Sequence, residues 1–117
     1  MKGDRVRIVN SSHVHEDESG ALAYVYGVVL DDQGRPVHNH DGTVQVFSQG
    51  GVKNGSTGVV VGHPEKCHRT QLKEQGQAVG LGANDFVNII PVMLDTYQKL
   101  GWFPADKVRV VAGGVAQ

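Results

Sequence analysis

The chain holds one cysteine, Cys67, one tryptophan, Trp102, and four prolines among its 117 residues. A lone thiol excludes an internal disulfide framework and suits a reducing compartment. No apolar run approaches the roughly 18 residues of a membrane helix, and Met1-Lys2-Gly3-Asp4-Arg5 opens without the apolar core of a signal peptide. The expectation is a cytoplasmic protein with no membrane contact. Neither charge sign dominates, with 11 basic and 12 acidic residues. That balance argues against duplex nucleic acid or an anionic surface as the main partner. Aromatic residues make up only 6%, which leaves few rings to stack bases.

What is present is β-forming residues cut by turns. Sixteen glycines punctuate the chain, and its length fits one domain over 1–117, able to hide roughly 65% of the unfolded surface. In Gly3–Val9, Val6 and Ile8 alternate with Arg5 and Arg7, the period of a half-buried strand. Residues 21–30 read as a strand, Asp31-Asp32-Gln33-Gly34 as a turn and Thr43–Phe47 as a short strand, so 21–48 is expected to be a hairpin. Gly50-Gly51 reads as punctuation. Thr57–Gly62 sets three valines between glycines, as where a strand bends or another backbone comes close. Residues 65–86 read as a long polar loop, with room for one helical turn at Arg69–Gln75. In Val87–Asp95, Ile90, Val92 and Leu94 share a face, while Pro91 marks an edge or a bulge. Loops at 10–20 and 65–86 are longer than compact domains usually carry.

The stretch Leu100-Gly101-Trp102-Phe103-Pro104-Ala105-Asp106-Lys107-Val108-Arg109-Val110-Val111 reads as a strand, one tight helical turn and a last strand, with Phe103, Val108 and Val110 pointing inward. Gly101-Trp102-Phe103-Pro104 resembles the closing motif of SH3 domains. The resemblance implies an all-β, SH3-like barrel with core strands near 3–9, 57–62, 87–95 and 100–111, the 21–48 hairpin inserted and long loops between. In peptide-binding SH3 domains a tyrosine follows at the position of Lys107, and further aromatics line a groove for polyproline. Those rings are missing here. The expected role is therefore a non-catalytic binding or assembly module without a cofactor. Its surface would be Trp102, Pro104 and Tyr97 with loop 10–20, contacting a protein partner or a second copy.

Three further groups offer chemistry. His13-Val14-His15 and His38-Asn39-His40 are His-x-His pairs, and i,i+2 imidazoles on extended chain share a side roughly 6.5–7 Å apart. If the two loops met, His13, His15, His38 and His40 would suit zinc or another divalent transition metal, as binding protein or metalloenzyme. His63, Cys67 and His68 lie beside Lys66 and Arg69, which would lower a thiol pKa; the plainer reading is an incidental cysteine in a polar loop. If strands 3–9 and 107–111 are neighbours, Arg5, Arg7, Lys107 and Arg109 form a basic outer ladder, the basis of a third reading as a weak nucleic-acid-binding barrel.

Overall fold

A computed structural model describes residues 2–9, 22–72 and 86–112. The chain is all-β. Its strands are β1 (Arg5–Ile8), β2 (Leu22–Val28), β3 (Val46–Lys53), β4 (Thr57–Val60), β5 (Glu65–His68), β6 (Phe86–Leu94), β7 (Leu100–Pro104) and β8 (Val108–Ala112). Single 3-10 turns stand at Arg69–Gln71 and Ala105–Lys107. Among the described residues no helix is long and apolar enough to cross a membrane.

Every ladder is antiparallel, in the order β3-β2-β7-β6-β4-β1-β8, with β5 joined to β6. The expected closed barrel is not formed. The edge of β7 that a simple meander would leave open is taken by β2, through Tyr26 opposite Trp102. The sheet is extended there, and among the described residues no ladder joins its end strands β3 and β8.

Both faces of the central strands are apolar, which gives two cores. The first lies on one face and gathers Val6, Ile8, Ala23, Val25, Val52, Val60, Ile90, Val92, Leu94 and Phe103. The alternations at Val6/Ile8 and Ile90/Val92/Leu94 hold as expected. Val110 does not point into a covered core: it is 55% exposed, because β8 ends the sheet. The second core joins Tyr26, Val28, Val44, Val46, Cys67, Leu72 and Ile89, with Val87 and Trp102 partly buried against it. Ile89 and Ile90 are adjacent in β6 and serve opposite faces, as the pleat requires.

Three local features differ from the sequence reading. Gly50-Gly51 does not end a strand: β3 runs through it, with Tyr24 opposite Gly51, Tyr26 opposite Ser48 and a register shift between. Gly50 has φ +100°, the left-handed geometry that lets a bulge residue sit inside a ladder. The loop expected over 65–86 contains β5, and its one helical turn is the 3-10 turn at Arg69–Gln71. Pro91 is buried within β6. Its carbonyl accepts from Val61 N–H at 3.0 Å. A strand residue's N–H and C=O point to the same edge, so the missing donor faces the gap just past the end of β4, before β5 begins its own ladder.

Candidate functional site

The face carrying the second core is covered over only part of its area. Residues 38–46 and Leu72 pack on the end of β6 that holds Val87 and Ile89, beside β5, which is paired to that end in the sheet. Further along β6 the same face carries Pro91 and Met93. Register sets Met93 between Val59 of β4 and Leu100 of β7, and Pro91 beside Trp102. Val61, whose N–H is bonded to Pro91, continues the row. Met93 and Leu100 are each 41% exposed and Val61 38%. Trp102 is half-buried and stands where the covered half meets this apolar strip.

The three residues expected to form a binding surface differ in exposure and element. Pro104 is buried opposite Ile89. Tyr97 is 41% exposed, in the turn closed by the bond from Leu94 N–H to Lys99 C=O. Trp102 lies three residues along β7 from that closing pair, roughly 10 Å away. The fourth component, loop 10–20, lies outside the described residues.

A second, polar cluster ties the cover to β5. Asn39 N–H donates to Thr43 C=O at 2.7 Å, and Val44 N–H donates to Lys66 C=O at 2.8 Å. His38 Nε2 is 2.8 Å from Glu65 Oε1, and His68 Nε2 is 2.9 Å from Asp41 Oδ2. The Thr43 hydroxyl and N–H both donate to Asp41 Oδ1, at 2.6 and 3.0 Å. These Thr43 bonds, with smaller help from His68, hold the Asp41 carboxyl at about 2, well below its ordinary value. The His68 ring packs on Phe86 at 5.0 Å, and Lys66 Nζ stands 4.9 Å from the centroid of the same ring. The four-histidine site lies only in part within the described residues. His38 is engaged by Glu65, His40 is exposed in the turn, and His13 and His15 lie outside the described residues. Among the described residues no three His, Cys, Asp or Glu side chains gather as a metal site.

Cys67 is not a loop residue. It is fully buried in the second core, while His68, next along β5, faces the other way toward Asp41. Strand alternation puts the two side chains on opposite faces of β5. The pairing of Asp41 with His68 has no signature in sequence, since 27 residues separate them.

β1 and β8 are neighbours, as the basic ladder requires, with Arg7 opposite Arg109. Arg5 is neutralised: its Nη2 lies 2.6 Å from Asp95 Oδ2, which also accepts from the Thr57 hydroxyl at 2.8 Å. The Arg5 guanidinium and then Thr57 hold the Asp95 carboxyl below the usual carboxylate range. Comparison with family models, curated proteins and solved structures found no match for this chain.

Proposed function

We propose that the protein is a non-catalytic binding or assembly module of SH3-like type. Its contact surface is the strip Val59, Val61, Met93, Leu100 and Trp102, with Tyr97 at its far end, and its partner is another protein or a second copy. The observation that carries the reading is the half-covered face. One strand set buries Ile89 under the 38–46 cover and leaves Met93 and Leu100 open beside a half-buried tryptophan. Contiguous apolar surface next to an aromatic anchor is what protein interfaces use. The SH3-like assignment is supported by the path β7-β6-β4-β1-β8 and by the 3-10 turn that precedes the last strand.

The test combines mass with exposure. Light scattering over a concentration series is expected to give a mass above that of the 12.5 kDa chain, falling to it in Met93→Glu/Leu100→Glu with the circular dichroism unchanged. A mass of one chain throughout removes the second copy and leaves a different protein as the occupant. Dilute peroxide then decides whether the face is open, because an exposed methionine oxidises readily. If Met93 in the single chain is as slow to oxidise as a core residue, the chain covers this face itself and the proposal fails.

A further inference from the structure

The outer face of β1 and β8 carries charge that the binding reading leaves unused. Val6 and Ile8 turn into the first core, so Arg5 and Arg7 stand on the solvent side. β8 brings Arg109 directly opposite Arg7. Cβ atoms of such a pair are about 4.5–5.5 Å apart, and like charges there repel. Arg5, two residues away, is matched by Asp95 and Thr57. Arg7 and Arg109 have no equivalent. Arg7 Nη1 donates to the Gly55 carbonyl at 3.4 Å and Arg109 Nη1 to the Asp106 carbonyl at 2.9 Å. Among the described residues neither forms an ion pair with a carboxylate. Each planar fork carries five donors, so one weak or single main-chain contact leaves most of them available. Lys107, whose carbonyl accepts from Val9 N–H, brings a further positive charge to the same end of the sheet.

We infer that Arg7 and Arg109 together form a binding site for a phosphate-type oxyanion. Two forks on adjacent strands present donors to one tetrahedral group, and a bound anion replaces their repulsion with charge-assisted hydrogen bonds. The oxyanion belongs either to a free phosphorylated small molecule or to a phosphodiester backbone, and the chemistry of recognition is shared. The contrast with Arg5 carries the inference: on one face of one sheet, one arginine is compensated within the chain and the opposed pair is not.

The experiment titrates the full chain at low salt with inorganic pyrophosphate, followed by calorimetry, and with a labelled single-stranded oligonucleotide, followed by anisotropy. Arg7→Gln and Arg109→Gln are each expected to weaken binding roughly tenfold or more. Both should melt at or above the wild-type temperature, because the opposed charge is gone. Arg109→Lys keeps the charge but loses the fork, and is expected to fall between wild type and Arg109→Gln. Arg5→Gln, which breaks the Asp95 pair, is expected to lower the melting temperature and leave binding unchanged. Arginine-sensitive pyrophosphate binding assigns a free phosphorylated compound. Oligonucleotide binding whose salt slope drops by about one per arginine removed assigns a phosphodiester backbone. If neither probe binds at low salt, or if both glutamine variants bind like wild type, the site does not exist.

Discussion

At the scale of single residues, the closest constraint is at Gly58. A Cβ there would lie 2.4 Å from the Met93 carbonyl oxygen and 2.7 Å from Val92 Cγ1. The first neighbour is backbone held in the β4–β6 ladder, so it cannot swing aside. Gly58→Ala should therefore cost about 1–3 kcal/mol in urea unfolding, the usual range for overpacking. Gly62→Ala, whose Cβ would meet only Pro91 Cγ at 3.3 Å, should cost much less. The alternative offered by the sequence at 57–62, close approach of another backbone, is the one realised. Asp41 supplies the residue-scale pH dependence. Its folded-state pKa of about 2 lies below the ordinary 3.8, so its contribution to stability is complete above about pH 4 and is lost as pH falls toward 2. Asp95 acts in the same sense through Arg5 and Thr57. Thr43→Val removes the largest cause of the Asp41 shift. Carbon-detected NMR titration should then find the Asp41 pKa raised part of the way toward its ordinary value, since the backbone N–H of residue 43 still donates; a value still at about 2 would assign the shift to that N–H and His68 instead.

Secondary-structure elements were legible where alternation or a breaker acts locally. The period-two pattern in β1 and the Ile90/Val92/Leu94 face of β6 need nothing beyond neighbours in sequence. The strand–turn–strand at 100–112 likewise follows from its own residues. Elements that depend on distant partners left no such trace. β3 passes through Gly50-Gly51 because β2 supplies a ladder and the left-handed Gly50 absorbs a bulge. β5 looks polar in sequence because only Cys67 of its four residues is buried, and its pairing with β6 is what makes it a strand. The cover over the second core is assembled the same way, from Val44 bonded to Lys66 and two His–carboxylate bridges. That construction predicts a local opening. Val44 is fully buried, and Val44→Ala removes its methyl groups from the second core alone. In hydrogen exchange, amides of 38–46 and β5 are expected to speed up, and Cys67 should become reactive to a thiol reagent under native conditions. β1, β4 and β8 should exchange as before. Uniform acceleration across all strands would mean that the cover does not open separately.

For the molecule as a whole, the organising fact is one sheet with a core on each face. Sequence periodicity shows which residues alternate, but it cannot show that β2, β6 and β7 bury residues on both faces, since a strand buried on both faces reads as a continuous apolar run. The candidate surface was legible to the same degree: Trp102 stood out by type, while Met93, Val59 and Leu100 became neighbours only through the register of three strands. Because β2, β6 and β7 contribute to both cores, global unfolding should not divide between them. Ile89 and Ile90 test this directly, being consecutive, nearly or fully buried, and on opposite faces. Ile89→Val and Ile90→Val should each cost about 0.5–1.5 kcal/mol. Each should lower one common melting transition, with the calorimetric and van't Hoff enthalpies equal. The double variant should show the sum of the two losses, because the side chains share a backbone but not a core. Two resolved transitions, one moved by Ile89→Val and the other by Ile90→Val, would instead show that the faces unfold independently and that the shared strands do not couple them.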